Sequence, residues 1–215
     1  MIVNGPYVPL TGLVLMADPR NSKCYSGAGT AAYNQVDNGA LTLSSIGYNG
    51  GYWTNAAAGA VVSGTYNLSL SSGYTVIQWL NLTTTSGGFF SYTSGSNAIN
   101  LYAGGSTQMR WETYLTGGDL NSNTLIPTGT WAMWAGSFSG TGAAGGSGTS
   151  KLYYNGNLDA SSTLAGTASN SATFQIGVHS GPMNGSIGPT LFYNRALSDV
   201  EVRNVFHAYR RSFGL

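Results

Sequence analysis

The stretch NGSIGPTLFYNRALSDVEV, Asn184–Val202, decides how this chain is read, because it passes from one kind of secondary structure to another within nineteen residues. Ser186–Tyr193 is a short apolar run of strand type, and Asn194-Arg195 interrupts it. Ser198 and Glu201 then form the S-x-x-E of a capping box: the Ser side chain accepts from the third helical amide and the Glu reaches back to the Ser amide. Past that point Val202, Val205, Phe206, Tyr209 and Phe213 recur at helical spacing, while Arg203, His207, Arg210 and Arg211 occupy the opposite side. Asp199 and Glu201 near the start and arginines near the end suit the helix dipole, and Gly214 is placed for a C-terminal cap. The spacing predicts one short amphipathic helix over 198–212. Its apolar face needs a surface to cover, so the helix reads as a clasp over the rest of the chain.

Working outward from there, apolar and aromatic residues come in short runs separated by Gly, Ser, Asn and Thr. The runs are Gly12–Met16, Tyr74–Leu82, Gly88–Tyr92, Ile99–Tyr102, Met109–Leu115, Trp131–Phe138, Lys151–Tyr154, Ala172–Val178 and Ser186–Tyr193. Strands of this length with this punctuation predict an all-β antiparallel sandwich or jelly roll. Nothing alternates with long helices, and no fixed repeat is present. Asn155-Gly156, between Leu152-Tyr153-Tyr154 and Asn157-Leu158, predicts a hairpin with a type I′ turn, since both residues accept positive φ. Ser139–Ser150 is so poor in anchoring side chains that it reads as a mobile surface loop; because Lys151 opens a strand and not a helix, this is not a phosphate-binding loop. Trp79, Trp111, Trp131 and Trp134 fall on predicted strands and are assigned to the core.

The chain has 215 residues, enough for one domain that buries about 70 per cent of its unfolded surface. We read 1–11 as an N-terminal extension and 12–215 as a single domain. Eight Lys and Arg against seven Asp and Glu leave a net charge of +1. That is far from the field of a nucleic-acid binder or a polybasic membrane-surface protein, so neither partner is expected. No apolar stretch approaches eighteen residues. The N-terminal residues lack the basic and apolar regions of a secretory signal. Cys24 is the sole cysteine, which excludes an intramolecular disulfide and is read as a small buried hydrophobe.

The residues Trp131, Phe138, Leu152-Tyr153-Tyr154-Asn155-Gly156, Phe174-Gln175-Ile176-Gly177, Asn184-Gly185-Ser186-Ile187-Gly188 and Tyr193-Asn194-Arg195-Ala196-Leu197-Ser198 with Glu201 carry a resemblance. In order and spacing they resemble the laminin-G-like branch of the concanavalin A-like lectin/glucanase sandwich. Tyr74–Leu82 with Trp79 is similar to a further strand of that family. Gly12-Leu13-Val14-Leu15, followed by Asp18, Asn21, Tyr25 and Gly27-Ala28-Gly29-Thr30, resembles the opening of laminin-G-like domains in bacteriophage structural proteins. The family's next segments are replaced by YNQVDNG (residues 33–39) and AAAGAVVSGT (residues 56–65), where its ligand and calcium loops would be built.

Glycan-cleaving enzymes of this fold use two carboxylates close together. The only glutamates are Glu112 and Glu201; Glu201 serves the helix cap, and Asp119 reads as too distant along an extended strand to pair with Glu112. No catalytic residues are therefore expected. His179, His207 and Cys24 do not make a zinc site or a Cys-His dyad, and the acidic residues, scattered from Asp18 onward, do not cluster for calcium. No metal or cofactor is expected. Asp18 reads as the cap of the turn at Pro19.

Sugars are held by aromatic faces and by Asn, Asp and Gln side chains, so Tyr48, Asn49, Tyr52 and Trp53, in what reads as a loop, are the candidate carbohydrate-binding residues. The competing reading places Tyr52 and Trp53 at the sandwich edge or in an interface. Arg203, His207, Arg210 and Arg211 are the candidate residues for docking a partner. The resemblance, the missing signal and the low charge together lead to the expectation of a non-enzymatic protein on the exterior of a bacteriophage virion, as a capsid decoration or fibre component. Its expected partners are other virion structural proteins, copies of itself and a cell-surface glycan. A free carbohydrate-binding module is the alternative, and a glycan hydrolase the third reading.

Overall fold

The computed structural model describes residues 6–55, 61–67, 70, 72–94, 97–103, 107–113, 118–140, 146–166, 171–179, 181 and 183–215. Among these lie sixteen strands: β1 (Leu13–Ala17), β2 (Ala31–Tyr33), β3 (Ala40–Ser44), β4 (Gly47–Tyr48), β5 (Trp53–Asn55), β6 (Val61–Asn67), β7 (Tyr74–Leu82), β8 (Gly87–Ser94), β9 (Asn97–Ala103), β10 (Gln108–Glu112), β11 (Asp119–Leu125), β12 (Trp131–Gly140), β13 (Ser147–Tyr154), β14 (Asn157–Ala165), β15 (Ser171–Ile176) and β16 (Gly185–Tyr193). Helix α1 (Asp199–Tyr209) and a 3-10 turn at Arg210–Phe213 follow. One sheet has the order β14-β13-β12-β7-β16-β5-β4, with β1 also paired to β16. The other has the order β11-β10-β9-β8-β15-β6-β3-β2. The predicted antiparallel sandwich with one short C-terminal helix is what the chain forms.

Alternation along β7 shows how the core is divided. Tyr74, Val76, Leu80 and Leu82 enter the space between the sheets, with Phe90, Tyr92, Trp111, Trp134 and Phe192. Ile77 and Trp79 point the other way, into a second cluster with Met133, Leu191, Leu197, Val202, Val205, Tyr209 and Phe213. A strand buried on both faces reads as a nearly continuous apolar run, and β7 reads so because the helix covers its outer side. Between the sheets the Trp111 ring lies where a Cβ on Gly136 would be, 2.2 Å away, so a residue larger than glycine there would displace the ring.

The capping box is present in full, with Ser198 accepting from the Glu201 amide and Glu201 accepting from the Ser198 amide at 2.9 Å. Arg195 explains the rest of the punctuation at Asn184–Val202. Its guanidinium grips the Glu201 carboxylate at 2.6 and 3.0 Å and donates to the Thr11 carbonyl at 2.8 Å. The Thr75 hydroxyl donates to the Arg195 carbonyl and accepts from the Leu197 amide, each at 2.9 Å. One corner thus ties the helix start, the chain before β1 and the central strand β7 together. Arg195 holds the Glu201 carboxyl down at about 2.

Phe206, half-buried, packs over Gly156 in the hairpin turn and against the second cluster, as its place on the apolar face of the helix implies. One expectation needs correction. Ser139–Ser150 is not a loop throughout: β12 runs to Gly140 and β13 starts at Ser147, with Ser139 opposite Thr149 and Gly140 opposite Gly148. The anchor missing from the sequence reading is Phe138, whose ring fills the space where side chains on Gly140, Gly148 and Gly166 would stand. Residues 141–145 of that stretch and 114–117, which include the end of the Met109–Leu115 run, lie outside the described residues. The Asn155-Gly156 turn has the expected positive φ values, 47° and 78°. Asp18 caps its turn, accepting from the Arg20 amide at 3.1 Å while holding the Arg20 side chain. Cys24 is buried, and burial pushes its thiol up to about 11.

Candidate functional site

The outer face of the second sheet, on the side away from the helix, brings the polar side chains of six strands into register. Ser63 of β6, Gln175 of β15, Ser91 of β8, Asn100 of β9, Glu112 of β10 and Asp119 of β11 are successive cross-strand partners, forming one row perpendicular to the strands. Their sequence neighbours Val62, Phe174, Ile176, Phe90, Tyr92, Leu101, Trp111 and Leu120 point into the core. Period-two alternation therefore sends the row outward. At about 4.8 Å per strand, the five steps from Ser63 to Asp119 cover roughly 24 Å.

Charge gathers at one end of the row. Asn100, itself fully buried, donates from Nδ2 to Glu112 Oε2 at 2.5 Å. Tyr102, next along β9 on the same face, donates its hydroxyl to Asp119 Oδ2 at 2.7 Å, and Arg110 Nη1 reaches the same oxygen at 3.4 Å. His179, in the β15–β16 connection, stands with Nε2 4.0 Å from Glu112 Oε2 and its ring edge-on to Tyr102 at 4.8 Å. It gets there because β8 has glycine at position 88: a Cβ on Gly88 would lie 2.0 Å from the His179 backbone nitrogen. The Gly88 amide also donates to the Gly181 carbonyl, and the Gly177 amide to that of Phe89. These bonds lay the connection across the sheet.

Burial, at 8 % exposure, raises the Glu112 carboxyl above the ordinary range; the Asn100 bond opposes this and the Asp119 charge adds to it. Burial lowers His179, against an opposing pull from Asp119. Tyr102 is raised by burial first and by its bond to Asp119 second. Two buried atoms here, Asn100 Oδ1 and Arg110 Nε, have no protein partner, which leaves an acceptor and a donor unused in the cluster. Among the described residues no three His, Cys, Asp or Glu are grouped to hold a metal ion.

The residues singled out from sequence are placed otherwise. Tyr48–Trp53 is the β4–β5 hairpin, closed by the Asn49 amide on the Tyr52 carbonyl at 3.0 Å. Trp53 is fully buried between the sheets, edge-on to Tyr25, and offers no face to a sugar; this corrects its assignment to a binding loop. Tyr48 packs edge-on to Tyr25 and Tyr52 packs against Trp131, which leaves both half-buried and Asn49 exposed. Arg203, His207, Arg210 and Arg211 form a ridge along the helix and its 3-10 extension, with Arg203 and Arg211 exposed and His207 and Arg210 half-buried. The distance argument for Asp119 fails as well, because the chain folds back and sets Asp119 directly opposite Glu112. Sequence reasoning missed the row, although Asn100-Leu101-Tyr102 and Arg110-Trp111-Glu112 each alternate polar-out and apolar-in.

Solved structures support the architecture. A mutant of Trypanosoma rangeli sialidase displaying trans-sialidase activity superposes with a TM-score of 0.68 at 13% identity, over 94% of this chain and 34% of that one. The chain thus spans about a third of that protein. Domain 4 of AbnA, an extracellular arabinanase from Geobacillus stearothermophilus solved in complex with arabinotriose, superposes with a TM-score of 0.57 at 24% identity, over 90% of this chain and 97% of that one. No curated protein sequence matches. The family model Laminin_G_3 matches residues 54–203, which include β7–β16 and the start of the helix, and the chain belongs to this branch of the concanavalin A-like lectin/glucanases superfamily.

Proposed function

We propose that this domain binds a glycan along the outer face of its second sheet and does not cleave it. The observation that carries the reading is the polar row from Ser63 to Asp119, half-exposed at Ser63, Gln175 and Asp119 and, beside it, at Tyr102 and Arg110, with Ser91, Asn100 and Glu112 buried between. Hydroxyl, amide, carboxylate and guanidinium groups side by side match the donors and acceptors of successive sugars, and roughly 24 Å accommodates several of them. The arabinotriose held by the similar domain of AbnA supports the reading. Against cleavage stands the engagement of both carboxyls. A glycosidase needs one carboxyl free to protonate the leaving oxygen and another free to reach the sugar carbon or a water. Here Asp119 is held by Tyr102 and Arg110, and Glu112 is sunk at 8 % exposure beneath its bond to Asn100.

The likeness of Gly12–Thr30 to bacteriophage structural domains supports presentation in many copies on a virion exterior, where weak sites add up. The test is a panel of immobilised β-glucan, laminarin, agar, alginate and arabinan, read for capture and for released reducing sugar. The account expects capture of at least one without release. Release that disappears in Glu112→Gln would make the domain an enzyme, and capture of none would end the glycan reading.

A further inference from the structure

The charges of this molecule are almost all satisfied internally, and the exceptions are concentrated. Of its eight Lys and Arg, four are in ion pairs: Arg20 with Asp18, Arg110 with Asp119, Lys151 with Asp199 and Arg195 with Glu201. The other four are Lys23, Arg203, Arg210 and Arg211, and three of these lie on the ridge of the C-terminal helix and its 3-10 extension. Arg203 is felt through space by Asp199, whose carboxylate is already bonded to Lys151 and Tyr153. Beside the ridge, Pro6, His207, Ala208, Arg210 and Arg211 line a cleft of about 330 Å³. The ridge is on the far side of the sandwich from the polar row, since the helix covers the outer face of the first sheet.

We infer that this ridge is a docking surface for a carboxylate-rich patch on another protein, one that would hold the domain with its polar row facing away. The chemistry favours that partner over other anions. A nucleic-acid site neutralises about 6–10 phosphates, and anionic membranes are bound by clusters of roughly 4–8 basic residues; three arginines beside a small cleft fall short of both. Arginine is also the basic residue enriched in protein interfaces, because its planar fork grips a carboxylate with two hydrogen bonds. A second copy of this chain does not supply the carboxylates. All seven of its Asp and Glu are engaged within the molecule, Asp37 by Asn34 and Asp159 by Asn123 and Thr124.

The full chain is tested against immobilised poly-L-glutamate, duplex DNA and phosphatidylserine vesicles at about 50 mM salt. Poly-L-glutamate should capture the protein more tightly than either alternative. The triple variant Arg203→Gln, Arg210→Gln, Arg211→Gln should lose capture at least tenfold, and Arg211→Gln alone should shift it in the same direction, while Lys23→Gln leaves it unchanged. A melting temperature matching the parent checks that the triple variant is folded, and glycan capture by the sheet should survive in it, so the two proposals fail separately. No capture of the parent chain, retention by the triple variant, equal loss in Lys23→Gln, or tighter binding to DNA or vesicles would each overturn the inference.

Discussion

Replacing Phe213 by alanine tests whether the helix is a clasp. The ring is 7 % exposed and lies between the C-terminal 3-10 turn and the outer face of the first sheet. It stacks on Trp79 at 5.9 Å, tilts against Trp131 at 4.7 Å and has the Arg20 guanidinium 4.9 Å from its centre. Truncating a buried Phe costs about 3–5 kcal/mol; this one is close to the chain end, where the 3-10 turn can settle into the gap, so we expect about 3 kcal/mol. At about 2–4 °C per kcal/mol for a domain this size, the melting temperature should fall by about 6–12 °C. Circular dichroism melts measure that fall, and urea titration with an unchanged slope would show that the native fold is kept. Removing Val202–Leu215 altogether is less informative. It uncovers the cluster that Val202, Val205, Tyr209 and Phe213 fill, at about 1.5–3 kcal/mol each, and the total rivals the whole stability of a domain. A Phe213→Ala variant that melts within 2 °C of the parent would refute the clasp.

Glu112→Gln should stabilise the protein at pH 7: the folded carboxyl titrates above its unfolded value near 4.5, so stability is complete below that value and is lost as pH rises through the folded one. The gain measured by urea titration should vanish below pH 4.5. Glu201 has the opposite sign: its carboxyl is depressed to about 2, and its contribution, present above 4.5, should disappear as pH falls toward 2. Glu201→Gln should lose that acid-dependent part of the stability curve. Gly88→Ala would place a methyl group 2.0 Å from the His179 backbone, so it should displace the β15–β16 connection, lower the melting temperature and abolish glycan capture together.

Local signals made part of the fold legible. The capping box at Ser198, the Asn155-Gly156 turn and the long apolar run of β7 each determine their structure within a few residues, and all three form as read. The short strands β2–β5 were not legible, because two to five residues with one buried face carry little pattern. Trp53 shows the same weakness, since its neighbours Gly50, Gly51 and Asn55 suggest a loop although β5 turns the indole inward. The row was half-legible: alternation in β9 and β10 marks which side chains face out. Which strand lies beside which is settled by the register of distant pieces, such as β15 between β6 and β8, and no local pattern encodes it. For that reason Asp119 was misjudged by its distance along the chain.

A crystal structure of the domain with a captured oligosaccharide tests the central claim most directly. The account predicts sugar density lying across the strands along the half-exposed members of the row, Ser63, Gln175 and Asp119, with sugar hydroxyls meeting the Asp119 carboxylate or the Arg110 guanidinium. Density on the Tyr48–Trp53 hairpin or along the helix ridge, with that row left bare, would contradict it.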